Sequence, residues 1–233
     1  MQKSKIEWTN YVWNPVTGCE HGCNYCYARK MANRLRGRYG YPADEPFKPT
    51  FHKVKLWDTF PIKPSKIFVS SMGDLFGDWV PTEWIDRVLD VVRINYKHTF
   101  IFLTKNPKRF SQFDFPQNAW LGYSTTGNLF YKWDERNDDN IKFVSLEPMQ
   151  HCIDASLEGY TQRIDFDWII IGQETGNRKG KHIVTSTELV YTIEFARKAN
   201  IPVFVKNNLK IHFDEMSIPI LKTCPQEYPE VNS

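Results

Sequence analysis

The chain has 233 residues and a formal net charge of +3, with 41% hydrophobic and 24% charged residues, the balance of a globular protein with one full-sized core or two small ones. No run of 18 apolar residues occurs, so no membrane-spanning helix is expected, and so small a net charge does not by itself require a polyanionic partner. Five cysteines, odd in number and locally clustered, fit a reducing compartment better than a disulfide framework. The opening "MQKSKIEWTN" has no apolar signal-peptide core, which points to the cytoplasm.

In chain order, the first strand candidate is "YVWNPV", interrupted by Pro15. It leads into a loop in which Cys19, Cys23 and Cys26 fall within eight residues, with Gly18 and Gly22 allowing tight turns. A helix is expected over Ala28–Arg38, carrying Arg29, Lys30, Arg34, Arg36 and Arg38 and no acidic residue. On a helix Arg34 and Arg38 would share a face, which is either a solvated surface or a phosphate-contacting one. Residues 39–65, with five prolines, read as a lid-like insertion.

The strand candidate "KIFVSSM" follows, then a helix over Thr82–Tyr96 with Trp84, Val88, Val91 and Val92 on one side and Pro81 at its start. "HTFIFLTK", a short helical piece over Pro107–Phe113, "AWLGYST", "KFVSLEP" and "DWIIIGQE" come next. A helix over Ser186–Asn200, with Leu189, Ile193 and Ala196 in register and Ser186 as a possible N-cap, precedes "IPVFVKN". Continuous apolar runs suit strands buried on both faces, and their alternation with helices predicts an α/β fold with a parallel sheet. About six or seven such units in about 210 residues suggest a partial (β/α)6-type barrel rather than a full eight-fold one. The expected organisation is one domain over 1–209 and a C-terminal extension over 210–233.

Each apolar run ends in polar residues: Ser70–Asp74, Leu103–Asn106, Tyr123–Asn128, Ser145–Pro148, Gly172–Gly176 and Val205–Asn208. In parallel α/β folds the carboxyl ends of the strands form the ligand-binding face, and the cysteine loop follows the first strand. Glu147 and Glu174 are the carboxylates expected to face a cavity. Lys105 and Lys206 either meet an anionic group there or pair with a neighbouring glutamate.

A closed structural zinc site takes four ligands, for which His21 or a distant residue would have to be added to the three cysteines. Cys152 and Cys224 stand alone and are expected to be buried small hydrophobes. Three thiolates on a compact loop suit a soft metal centre with an open position, such as an iron–sulfur cluster.

C-x3-C-x2-C with Tyr25 before the last cysteine resembles the signature of radical S-adenosylmethionine enzymes. The resemblance implies that Cys19, Cys23 and Cys26 hold three irons of a [4Fe–4S] cluster. S-adenosyl-L-methionine would chelate the fourth through its amino and carboxylate groups. Reduction by an external flavodoxin- or ferredoxin-type donor would then cleave the sulfonium to methionine and a 5′-deoxyadenosyl radical, which abstracts hydrogen from substrate. It also implies a partial barrel with the cluster loop after the first strand.

More narrowly, "IEWTNYVWNPVTGC", "CYARKMA", "LTKNPKRF", "FVSLEPM" and "DWIIIGQETG" resemble a phage- and prophage-associated family built on a domain of unknown function, related to the spore photoproduct lyase branch. Gly172-Gln173-Glu174-Thr175-Gly176 stands where that family usually has Gly-Gly-Glu-Ser-Gly, which leaves the role of Gln173 open.

By resemblance, cofactor contacts fall to Tyr25 and to Ser70, Ser71, Met72, Gly73 and Asp74. Asp74 would either accept from the cofactor ammonium or cap the next turn. Ser124, Thr125, Ser145 and Glu147 would meet the ribose, with Gln173 also at the cofactor, and Glu147, Glu174 and Lys105 are the candidate catalytic groups. The basic segment, the 15% aromatic content and the phage resemblance favour a DNA or RNA base as substrate, taken from a single strand or flipped out of a duplex. Alternatives are the same chemistry on a peptide or small metabolite, or a non-catalytic zinc-dependent nucleic-acid-binding protein. A phage-encoded member would work in the host cytoplasm.

Overall fold

The computed structural model of the chain describes residues 1–127, 133, 139–153, 165–212 and 224–230. Among the described residues there are ten strands: β1 (Gln2–Lys3), β2 (Tyr11–Trp13), β3 (Val16–Thr17), β4 (Thr50–Phe51), β5 (Lys66–Val69), β6 (Thr99–Thr104), β7 (Ala119–Thr125), β8 (Lys142–Leu146), β9 (Trp168–Ile171) and β10 (Val203–Val205). Three α-helices accompany them among these residues: α1 (Tyr27–Arg34), α2 (Thr82–Ile94) and α3 (Ser186–Lys198). Eight strands form one mostly parallel sheet in the order β1-β2-β5-β6-β7-β8-β9-β10, and β3 and β4 make a separate antiparallel pair. Among the described residues no helix is long and apolar enough to cross a membrane. The chain groups into two compact units, one of residues 1–122 with 134–140 and one of residues 123–133 with 141–233.

The first unit is built on β2, β5 and β6, whose register sets Tyr11 beside Ile67 and Ile67 beside Phe100. Trp13, Ile67, Phe100 and Ile101 are fully buried. Helix α2 buries Ile85, Val88, Leu89 and Val92, not the expected face of Trp84, Val88, Val91 and Val92. The buried stripe keeps the i, i+3, i+4, i+7 spacing, and Trp84 lies at its rim, stacked on Phe51 with ring centroids 5.2 Å apart.

Helix α1 stops at Arg34, four residues short of the expected end. The amide of Leu35 bonds back to Met31 and Ala32, and Gly37 takes a φ of 69°. Arg36 and Arg38 therefore lie beyond the helix, and Arg38 does not extend the Arg34 face. Residues 39–65 are tied down at several points. β4 pairs with β3, a 3-10 helix spans Lys53–Trp57, and the Trp13 indole donates to the Lys55 carbonyl at 2.8 Å.

In the second unit β8, β9 and β10 are buried along their whole length, as the apolar runs of β9 and β10 require, and β8 buries Lys142 and Ser145 with its apolar residues. Helix α3 is capped by Thr185 rather than Ser186. The Thr185 hydroxyl accepts from the Glu188 amide at 3.2 Å while the Glu188 carboxylate accepts from the Thr185 amide at 2.8 Å, a reciprocal capping box. Leu189, Ile193 and Ala196 are buried, joined by Thr192 and Phe195.

Of the expected C-terminal extension, 210–212 and 224–230 are described, while 213–223 and 231–233, like Asn128, lie outside the described residues. The second stretch packs on the unit: Val205 donates to the Pro225 carbonyl and the Trp168 indole to the Glu227 carbonyl, both at 2.8 Å.

Candidate functional site

The cysteine loop leaves β3 and is fastened at its base to the end of β5. Gly18 forms a parallel bridge with Gly73, and its amide donates to the Met72 carbonyl at 2.9 Å. Both positions need glycine. A Cβ on Gly73 would lie 2.6 Å from the Gly18 carbonyl oxygen, and one on Gly18, whose φ is 87°, would run into the Lys48 carbonyl. On the loop's other side the Cys19 amide donates to the Phe47 carbonyl at 3.1 Å. Cys26 is the N-cap of α1, its sulfur accepting from the Arg29 amide at 3.4 Å.

Cys19, Cys23 and Cys26 are free thiols, each partly exposed. Burial pushes the Cys19 thiol up to about 12, against the opposing backbone hydrogen bond at His21. Among the described residues no group of three or more His, Cys, Asp and Glu side chains is gathered to hold a metal. The thiols share one short loop, but they do not form a ready-made cage.

Asp74 is the hub beneath this loop. One carboxylate oxygen accepts from the Phe76 amide at 3.0 Å and the Thr104 hydroxyl at 2.7 Å. The other accepts from the Lys105 amide at 2.9 Å and is bonded to His21 Nε2 at 2.8 Å. With four partners and only 4% exposure, Asp74 caps the turn at Phe76 and ties the loop to the end of β6. The His21 ring stands edge-on to Trp79 at 4.7 Å. Beside it, Asn14 accepts from the Ser71 hydroxyl at 3.1 Å and the Met72 amide at 3.2 Å, and Tyr27 donates to the Ser71 carbonyl at 2.6 Å.

Ser70 is held at a φ of 57°, and its buried hydroxyl has no partner among the described residues. The Lys105 ammonium lies 5.4 Å from the Tyr25 ring centroid. Burial raises the Tyr25 hydroxyl above its usual range, with Lys105 opposing the shift.

The first unit thus brings Cys19, Cys23, Cys26, Tyr25, Ser70–Asp74 and Lys105 to the two ends of one fastened loop. Asn14, Thr104 and Trp79 belong to this neighbourhood without having been singled out. Thr104 had a signal, as the first polar residue of "TKN"; Asn14 and Trp79 had none.

The basic residues divide. Arg29 lies over the Phe47 ring at 5.5 Å, and Arg36 donates to the Ala43 and Asp44 carbonyls at 2.7 and 3.1 Å. Lys30, Arg34 and Arg38 are exposed and have no ion-pair partner among the described residues.

The second unit holds the other candidates. Glu147 forms an ion pair with Lys206, its second oxygen lies 3.5 Å from the Ser145 hydroxyl, and its backbone carbonyl accepts from the Ser124 hydroxyl at 3.3 Å. Gly172 lies against that pair: a Cβ there would be 2.8 Å from Lys206 Cδ and 2.9 Å from Glu147 Cγ. The Gln173 side chain accepts from the Val184 amide at 3.1 Å, and its backbone carbonyl accepts from the Asn208 amide group at 2.7 Å. Glu174 is buried and takes a bidentate pair from Arg178 at 2.7 and 2.8 Å. The Thr125 hydroxyl accepts from the Gly127 amide at 3.4 Å. Cys152 and Cys224, expected to be buried, are both partly exposed; Cys224 sits on the unit's outer strand, 3.5 Å from the Val205 carbonyl.

A family model described as a protein of unknown function (DUF5131) matches residues 3–212. The chain belongs to this family. The matched span takes in the cysteine loop, the Asp74 hub, the Glu147–Lys206 pair and the Gln173–Glu174 loop. No curated protein and no solved structure matches the chain.

Proposed function

We propose that this protein is a radical S-adenosylmethionine enzyme in which Cys19, Cys23 and Cys26 hold a [4Fe–4S] cluster, acting on a nucleic-acid base. The observation that carries the reading is the pairing of three free thiols within eight residues with a polar strand end whose Ser70 hydroxyl is buried and without a partner among the described residues. The donor chemistry fits: thiolates suit iron–sulfur centres, and an orphaned buried hydroxyl is costly unless a ligand meets it. With a one-electron donor of flavodoxin or ferredoxin type, the bound cluster and cofactor would supply cleavage of the sulfonium to methionine and a hydrogen-abstracting 5′-deoxyadenosyl radical.

The chain's own residues do the holding. The Gly18–Gly73 bridge and the His21–Asp74 bond fix the base of the loop, so that binding has only to draw in the thiols near its tip. Cys19, kept protonated by burial, loses its proton when a cation arrives beside it. Asp74 acts as a fastener, which leaves the Ser70 hydroxyl as the free polar group for a cofactor at that strand end. Lys105 over Tyr25 sets a positive charge beside the loop. The exposed Lys30, Arg34 and Arg38 supply phosphate contacts for a nucleic-acid substrate.

One observation favours a zinc site instead. A carboxylate on one nitrogen of an imidazole, as Asp74 is on His21, commonly orients the other nitrogen toward a metal. Anaerobic purification with iron and sulfide analysis, then dithionite reduction with S-adenosyl-L-methionine, separates the two. About four irons per chain and release of 5′-deoxyadenosine are expected. Bound zinc, or no iron after reconstitution, would overturn the enzyme reading.

A further inference from the structure

A groove of about 550 Å³ runs beside the cysteine loop, lined among others by Cys19, Glu20, Arg29, Asn33, Phe47 and Lys48. Its size is in the range of small-ligand sites, about 300–1,000 Å³. Arg29 and Asn33, four residues apart on α1, form one edge, and the 45–49 segment forms the other. We propose that this groove takes a nucleobase bearing an exocyclic amine, presented on a single strand whose phosphates lie along α1; the proposal rests on the nucleic-acid reading above.

Three features of the groove carry it. The Arg29–Phe47 stack offers a flat, cationic and aromatic surface, which suits the face of any base. The Asn33 amide and the Glu20 carboxylate are exposed and have no partner among the described residues, so their hydrogen-bonding capacity is unspent. A carboxylate only accepts, and an amide both donates and accepts. Adenine, cytosine and guanine carry an exocyclic amine that donates to such a carboxylate; thymine and uracil keep only the ring N3–H as a donor, flanked by two carbonyl oxygens that a carboxylate repels.

Charge places the rest of the strand. Lys48 is paired with Glu45 at 3.3 Å, and Glu20 repels phosphate, so the backbone is excluded from the groove floor. Lys30 and Arg34, one position round the helix from Arg29 and Asn33, are exposed cations without ion pairs among the described residues and meet it instead. Because Cys19 lines the same groove, a base seated there lies against a proposed cluster ligand. A paired base cannot enter, which selects single strands.

The test is fluorescence anisotropy of the purified full chain with labelled single-stranded homopolymers of adenine, cytosine and thymine. Cytosine against thymine is the deciding pair, since both are pyrimidines with similar stacking faces. Cytosine is expected to bind about tenfold tighter than thymine. Asn33→Ala combined with Glu20→Gln should bring cytosine and thymine to one level, weakening cytosine and relieving the repulsion of thymine. Lys30→Gln with Arg34→Gln should weaken all three alike and flatten the salt dependence. All four positions are exposed, and circular dichroism checks the fold of each variant.

Equal affinity for cytosine and thymine, or equal losses from the Asn33 and Glu20 changes, would overturn the base site while leaving the nucleic-acid reading. Tighter binding to duplex than to single strands would overturn it too. No binding to any oligonucleotide at low salt would overturn both, and the 5′-deoxyadenosine assay reports on the chemistry independently.

Discussion

Asp74 receives hydrogen bonds from residues 21, 76, 104 and 105, which no local pattern places together. Its position at a polar strand end was legible in the sequence, and so was the choice between cofactor contact and turn cap. The bond from the Phe76 amide is the turn cap; the other three come from the cysteine loop and the end of β6, and only folding supplies them. Removing the carboxylate leaves several buried donors unsatisfied. Asp74→Ala is therefore expected to cost about 3 kcal/mol of stability, and Asp74→Asn less, because one amide oxygen still accepts. Urea unfolding checks both, and unchanged midpoints would mean that the hub holds nothing. His21→Ala removes one bond and a part-buried edge contact with Trp79, so it should cost about 1 kcal/mol while lowering iron retention in the reconstituted protein.

At the scale of elements, the sequence was most legible where strands are buried on both faces. "DWIIIGQE" and "IPVFVKN" hold unbroken apolar runs bounded by polar residues, and "KFVSLEP" a run interrupted by Ser145; β8, β9 and β10 lie within them. The two-residue strands β3 and β4 had no such signal, because two residues have no periodicity; the close approach of Gly18 to Lys48 locks that pair to the cysteine loop. The end of α1 was misjudged because its basic run continues in composition after the hydrogen bonds have stopped.

The two glycines of the loop separate conformational from steric cost. Both have positive φ, 87° at Gly18 and 72° at Gly22, but a Cβ on Gly22 meets nothing within 4 Å. Gly22→Ala should cost about 1 kcal/mol for its left-handed backbone. Gly18→Ala should cost about 3 kcal/mol or more and speed proteolysis within residues 39–65, because the backbone of Lys48 has to move as well. Equal costs for the two would show that the loop and the insertion are not locked together.

For the whole molecule, acid is the condition that tests each unit through its own groups. In the first unit burial, aided by nearby Lys55, holds His52 below the usual histidine range. Folding then favours the neutral ring, so its contribution is complete above about pH 6.5 and is lost as pH falls toward the folded value.

In the second unit burial alone would raise Glu227. The Arg197 guanidinium at 2.5 and 2.8 Å and the Val203 amide outweigh it, so the carboxyl sits below its ordinary value. Glu188 is likewise held down against burial by the Thr185 amide and hydroxyl and by His182. These two contributions are complete above about pH 4.5 and disappear as pH falls through the folded values. The urea midpoint should therefore decline gently below about pH 6.5 and more steeply below about pH 4.5. Glu227→Gln should be less stable at neutral pH, since it loses the Arg197 charge pair, yet its curve should fall less steeply in acid and approach the wild type at the lowest pH. Amide hydrogen exchange across β9 and β10, beside the Trp168 indole that donates to the Glu227 backbone, reads that unit directly. Curves that stay parallel at every pH would mean that Glu227 binds its proton equally in the folded and unfolded chain, and the Arg197 pair would then contribute nothing to stability.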